Sequence, residues 1–389
     1  MKKQLTSADI SFLASELNTL LSFARIDKAY QLKEKELKLR IYAPGAGSLD
    51  LIAAPDYLCV SRFIRKAPER PTSFAMQLRK NLGGAYIREV RQHGFDRILE
   101  FSLEREEKKF ILVFELFSRG NVLLCNAEGK ILGLLEWQKW KDRKLGVGQK
   151  YEYPPAAKDP FEIEFPDFRR ILSSSEKKLV AVLATDAGLG GTYAEETCSL
   201  CDLDKDQPAK DLSNSKMDAL YDAFCEVRKK IREGPASPRI VCLDGKAHDV
   251  VPLDLSIYAG YEKKTFPTFN EAVDEYFSRE EFAKEQNSAE EKFLKEQKKL
   301  EDIETKQKEL IERFEKEGVE FQESGDNIYQ NYGAIEQVIN AVKDARSKGF
   351  SWEDISEKLS GKEVNGIKVS GVGRDGFASL TMKKPNKRV

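Results

Sequence analysis

The sequence predicts an α+β protein of several domains, and three observations carry that prediction. Short strand-like runs separated by turn residues dominate the chain up to Trp137, a strand-poor helical stretch follows, and a charged segment with apolar residues at heptad steps comes after it. A 389-residue chain that is 41% hydrophobic can bury real cores, and its length suits roughly two to four domains.

Residues 6–21 have helical periodicity, with Ile10, Leu13, Leu17 and Leu20 or Leu21 on one face. Thr6-Ser7-Ala8-Asp9 fits the capping pattern that starts such a helix. Strands are expected at 25–32, 36–42, 49–53 and 57–62, punctuated by Pro44-Gly45-Ala46-Gly47 and Pro55-Asp56. A helix over 73–82 ends at Gly83-Gly84, and a second block of strands covers 97–103, 109–116, 122–126 and 131–137. Such an order makes an antiparallel sheet with attached helices and excludes a Rossmann alternation.

Tyr153-Pro154-Pro155 marks a linker, and residues 171–233 are helical throughout. At their centre, Gly188-Leu189-Gly190-Gly191 between two helices outlines a helix-hairpin-helix. Gly188, Gly190 and Gly191 either present N–H groups to a phosphate or simply make a tight turn. Strand signals return at 239–243 and 250–255, as expected of the first β domain resuming after an insertion. A helix starting at 269–277 leads into 279–317, where Ala289, Phe293, Leu300, Ile303, Leu310 and Phe314 form a heptad seam. Helices at 332–348 and from Ser351, then strands at 367–369 and 378–382, complete the chain. The domains expected are 1–164 plus 238–276, the module 165–237, the coiled-coil helix 277–318 and a small α/β middle region 319–389.

Composition excludes several classes. With 33% charged residues and a net charge of −1, any nucleic-acid surface must be local. No run approaches the ~18 apolar residues of a membrane span. MKKQLTSADI has no signal-peptide core, so a cytoplasmic protein without membrane contact is expected. Six scattered cysteines and two histidines suit neither a zinc site nor histidine-based catalysis, and no cofactor or metal is expected.

Several blocks together resemble the NFACT family: SFAMQLRKNLGGAYI at 73–87, QHGFDRILEF at 92–101, FELFSRGNVLLCN at 114–126, GLGGTYAEE at 188–196, FNEAVDEYFS at 269–278 and the stretch from Ile328 to Ile355. The resemblance spans essentially the whole chain. It implies a β-rich N-domain like that of the MutM/Nei DNA glycosylases, an inserted helix-hairpin-helix and a coiled-coil region. It also implies a longer protein with a returning helix and an RNA-binding NFACT-R domain, so the chain is expected to stop short of these. Family members bind large ribosomal subunits blocked by peptidyl-tRNA and recruit tRNA, alanyl-tRNA above all, for untemplated tailing of the stalled chain. The ribosome makes the bond, so no enzymatic activity is expected. A general RNA- or tRNA-binding scaffold without tailing is the alternative. A glycosylase would need an N-terminal proline amine or similar nucleophile, which Met1-Lys2-Lys3 does not offer.

The resemblance places Asp96-Arg97 on the family's functional Asp-Arg motif and Asp9 on another acidic position tied to tailing. Residues 62–97 carry nine basic side chains, Arg79, Lys80, Arg88 and Arg91 among them, against three acids. Such an excess suits phosphate contact. Each has a plainer reading: Asp9 as a helix cap, Asp96-Arg97 as a structural ion pair, the heptad charges as a solvated face. Asp9, Asp96 and Arg97 are expected on one partly exposed face beside the basic stretch. The heptad helix has no returning partner within the chain, so either self-association through its seam or disorder of its distal part is expected.

Overall fold

The computed structural model describes residues 1–389 except 118–119, 141–142, 156–157 and 383–389; side chains at 280–290 and 292 also lie outside the described set. Helix α1 (Ser7–Leu21) begins at a full capping box: the Thr6 hydroxyl accepts from the Asp9 N–H, and Asp9 accepts from the Thr6 N–H at 2.7 Å. Its buried stripe of Ile10, Leu13, Leu17 and Leu21 packs on a sheet.

That sheet has nine strands: β1 (Arg25–Lys33), β2 (Glu36–Ala43), β3 (Gly47–Ala53), β4 (Leu58–Ser61), β5 (Tyr86–Gln92), β6 (Ile98–Arg105), β7 (Lys108–Glu115), β8 (Asn121–Asn126) and β9 (Ile131–Leu134). The order is β4-β3-β2-β1-β5-β6-β7-β8-β9, two antiparallel meanders joined where Arg25 of β1 pairs with Tyr86 of β5. Helix α2 (Ser73–Leu82), between β4 and β5, adds Phe74, Leu78 and Leu82 to a core shared with Leu39, Ile41, Phe101 and Phe114. A small ribbon, β10 (Gln138–Lys139) with β11 (Lys144–Leu145), follows.

Strand β5 is not apparent from alternation in the sequence. Its register shifts between Ile87 and Glu89, so the buried residues Ile87 and Val90 stand three apart rather than two.

The helical stretch comprises α3 (Phe165–Ser173), α4 (Leu179–Ala181) running into a π turn (Val182–Asp186), α5 (Gly191–Leu200) and α6 (Asn214–Glu233). Phe168, Leu183, Tyr193 and Phe224 form its core. Strands β12 (Arg239–Leu243), β13 (Lys246–Val251) and β14 (Glu262–Thr265) then make a separate sheet, ordered β13-β12-β14. They add nothing to the nine-stranded sheet, yet alternation sends Ile240 and Val250 into its core and Val241 and Val251 into the helical core. The sheet is thus a shared wall, and contacts group Met1–Gln286 as one compact unit. The charged β14, Glu-Lys-Lys-Thr, carries no apolar signal in the sequence.

Helix α7 (Phe269–Gln330) is longer than the heptads require. Glu16 accepts from the N–H groups of Phe269 and Asn270 at its start, at 2.7 and 2.8 Å. Asn270 bonds both backbone groups of Val60, and Asp274 accepts from the Arg62 N–H, so the helix closes the edge of β4. The second unit, Asn287–Val389, adds α8 (Tyr332–Ser347), α9 (Trp352–Leu359), β15 (Glu363–Val364), β16 (Ile367–Val372) and β17 (Ala378–Met382). Val338, Val342, Ile355 and Val369 are its core. The seam residues Phe293, Leu300, Ile303, Leu310 and Phe314 are all exposed, while Ala289 lies outside the described side chains.

The glycine turn before α5 makes a sharp test of the backbone. Gly188 has φ +75°, and an added Cβ would stand 2.1 Å from the Lys158 carbonyl oxygen; at Gly190, with φ +78°, a Cβ meets nothing within 4 Å. Gly190→Ala should cost about 1–3 kcal/mol through its backbone alone, and Gly188→Ala should cost more because the Lys158 carbonyl must also move, both read from urea unfolding. Equal losses would mean the close approach to Lys158 is not real.

Candidate functional site

Asp9, expected on an exposed face, is completely buried. This corrects the expectation, and the physical reason is Lys2, whose side chain is itself largely hidden. Its ammonium lies 2.8 Å from Asp9 Oδ2 and 3.1 Å from Asp249 Oδ1, and donates to the Val250 carbonyl at 2.7 Å. Burial disfavours the Lys2 charge, but the two carboxylates win and hold its pKa above the usual lysine value. Burial likewise pushes the Asp9 carboxyl up, against the pull of Lys2. The Tyr258 hydroxyl donates to Asp249 at 2.5 Å. Asp9 Oδ1 and the Tyr193 hydroxyl are buried without a hydrogen-bond partner among the described residues. Lys2, Asp249, Tyr193 and Tyr258 escape sequence reasoning because nothing in their spacing tells that they converge.

Asp96 and Arg97 sit at the turn into β6, both half-buried. Gly94 takes φ +53° in that turn, and the Asp96 N–H bonds the His93 carbonyl. Asp96 Oδ1 accepts from the Arg97 backbone N–H at 2.6 Å, and no side-chain ion pair joins the two among the described residues. The Arg97 guanidinium has no hydrogen-bond partner there either. Burial lowers its pKa, with Asp96 opposing. Gln92 links this turn to the start of α1 by donating to the carbonyls of Ser7 and Asp96, at 2.8 and 2.7 Å. Asp9 is thus buried in the helix whose start Gln92 ties to the Asp-Arg turn, and does not share a partly exposed face with that turn. His93 stacks on Tyr153 at 3.6 Å, and Glu100 beneath them also binds Arg91.

The basic stretch is less bare than its sequence suggests. Arg88 pairs with Glu104, Arg91 with Glu100, Arg65 with Glu36 and Arg62 with Glu271. Those carboxylates come from other elements, so a count along 62–97 cannot see them. Arg79 donates to the Ala29 carbonyl and covers the Tyr30 ring, which makes it largely a packing residue. Lys80 is exposed. Gly188, Gly190 and Gly191 form the turn into α5, whose N-terminus has no side-chain cap. No cluster of three potential metal ligands occurs among the described residues.

Comparison with known proteins fits this arrangement. Residues 6–370 match the model for the NFACT N-terminal and middle domains. The chain belongs to the NFACT family. The archaeal Rqc2 homolog aRqcH of Methanocaldococcus jannaschii is 32% identical over 373 residues, covering 92% of this NFACT chain and 54% of that protein. The Rqc2 homolog RqcH of Bacillus subtilis is 27% identical over 281 residues, covering 68% and 47%. This chain thus spans about half the length of the curated relatives it matches. Among solved structures, the fibrinogen binding protein from Staphylococcus aureus aligns with TM-score 0.57 at 18% identity, over 70% of this chain and 98% of that one. The N-terminal part of a fibronectin/fibrinogen-binding protein from Streptococcus suis aligns with TM-score 0.55 at 23% identity, over 71% and 100%. Both support the α+β fold of the NFACT N-domain.

The two acidic positions should respond differently to substitution. Asp9→Ala strands the buried Lys2 ammonium with one carboxylate fewer and should cost about 3–5 kcal/mol in urea unfolding. Asp96→Ala and Arg97→Ala should each stay within about 1 kcal/mol. A small loss at Asp9 with a large loss at Arg97 would reverse the assignment of core and face.

Proposed function

We propose that this chain is the RNA-contacting front part of a ribosome quality-control factor. It binds large ribosomal subunits blocked by peptidyl-tRNA and recruits tRNA, alanyl-tRNA above all, for untemplated tailing of the stalled nascent chain. The ribosome forms the bond, so the chain itself carries out no covalent step and acts in the cytoplasm. The observation behind this reading is Arg97, a half-buried guanidinium at a rigid strand start with no hydrogen-bond partner among the described residues. An arginine desolvated without a partner is costly in a purely structural role, whereas its planar fork suits a phosphate or base edge. Relatives named for ribosome quality control supply the context. The uncapped turn at Gly188, Gly190 and Gly191 serves as an additional phosphate contact in this reading. A general tRNA-binding scaffold without tailing remains the alternative, and an assay of tailing on blocked large subunits separates the two.

Arg97→Ala in the full-length protein should leave the melting temperature and large-subunit binding unchanged while co-purifying tRNA falls at least tenfold. Undiminished tRNA on intact subunits would remove Arg97 from the contact.

The exposed seam at Phe293, Leu300, Ile303, Leu310 and Phe314 is held to pair with the seam of a second copy in this chain. Sedimentation of the 389-residue chain should show a concentration-dependent dimer that Leu300→Lys with Ile303→Lys abolishes. A monomer at all concentrations would contradict this.

A further inference from the structure

The junction of the two meanders carries an aromatic surface that the Arg97 contact does not use. Phe23, Tyr42 and Tyr86 are large aromatic residues, yet 60%, 55% and 44% exposed. Strand register brings them together around arginines. Arg25, itself exposed, is the cross-strand partner of Tyr42 on β2 and of Tyr86 on β5. The Arg88 guanidinium stands 5.5 Å from the Phe23 ring centre and 5.7 Å from that of Tyr86.

Phe23 makes this arrangement unusual. It has φ +60°, in the left-handed region where a bulky aromatic is a genuine outlier. It follows α1 and its cap Ser22, the place where glycine is the usual solution. Its N–H is held by the Ile87 carbonyl at 2.8 Å, so the strained backbone is fixed in place. The side chain is mostly in solvent, so core packing does not repay this strain. A strained, exposed aromatic between two further rings and two arginines has the make-up of a contact surface.

We propose that Phe23, Tyr42 and Tyr86 form a stacking platform for unpaired RNA bases, with Arg25 and Arg88 taking the flanking phosphates. Rings offer faces to any base, and arginines between them supply the charge that a phosphate backbone requires. Arg88 is shared with Glu104, whereas Arg25 makes no ion pair among the described residues. The platform rests on the reading of this chain as an RNA-contacting protein and adds to it a second contact, specific for unpaired bases, away from Arg97 in the sequence.

The test uses a hairpin RNA with 2-aminopurine in its unpaired loop, whose fluorescence is quenched on stacking, and the same hairpin labelled in the stem. The wild-type chain should quench the loop probe and not the stem probe. Tyr86→Ala with Phe23→Gly should abolish the quench and weaken hairpin binding roughly tenfold, as expected for losing one stacked base. Arg25→Gln should reduce the slope of log affinity against log salt by about 1. Phe23→Gly alone should leave the melting temperature equal or higher, since glycine accepts the backbone that phenylalanine resists; a clear fall would make Phe23 a packing residue and overturn the platform. Unchanged quenching and affinity in the double variant would overturn it as well, including the case in which the rings receive a protein partner. Arg97→Ala run in parallel keeps the two readings apart. Loss of affinity there with a normal loop quench in the double variant defeats only the platform, and the opposite pattern defeats only the Arg97 contact. Competition with tRNA and with purified large subunits then identifies which RNA supplies the loop.

Discussion

Burying the Lys2 ammonium forces three parts of the chain together, because it must reach Asp9 on α1, Asp249 on β13 and the Val250 carbonyl at once. An unpaired ammonium in that position would cost several kcal/mol, so the chain start, the first helix and the late β sheet are tied by necessity. The same α1 receives the long helix through Glu16, and the same β13 sends Val250 and Val251 into two different cores. On the far side of that sheet, Glu196 of α5 accepts from the backbone of Ser256 and Ile257, holding the helical stretch in place. A local polar cluster thereby sets the relation between elements more than 200 residues apart in sequence.

A separate anchor holds the Asp-Arg turn. Gln92 joins the Ser7 carbonyl to the Asp96 carbonyl, so the turn is anchored through its backbone and the start of α1. Anchoring by backbone leaves the Arg97 side chain unused. Nearby arginines are used differently: Arg91 and Arg88 are matched by carboxylates of β6, and Arg79 by a carbonyl and a ring. One positive group without a structural partner is a more specific feature than a general excess of charge.

Much of the fold was legible in the sequence, and the exceptions have physical causes. Capping boxes at Thr6 and Ser351, the meander strands and the glycine turn all depend on local chemistry, which a single segment displays. Strand β12 was legible where it lies, but β13 runs Lys246–Val251 rather than 250–255, and neither strand told which sheet it joins, because alternation cannot say which face meets which core. Strand β5 was hidden by its bulge and β14 by its charge. At the site, Asp96 and Arg97 stood out through resemblance, whereas the burial of Asp9 depends on Lys2 and Asp249, one close in sequence and one remote. Part of the charge excess over residues 62–97 is matched for the same reason: Arg62, Arg65, Arg88 and Arg91 meet carboxylates from other elements, and such pairing is decided in space.

One buried ammonium ties the chain start, α1 and β13 together, and through β13 it supports the helical stretch packed on that strand. Native-state hydrogen exchange on Lys2→Met, compared with the wild-type chain, tests this coupling most directly. The coupling predicts that protection falls together in α1, β13 and α5 while the strands β6 to β8 keep theirs. Loss confined to the first residues of α1, with β13 and α5 unchanged, would contradict it.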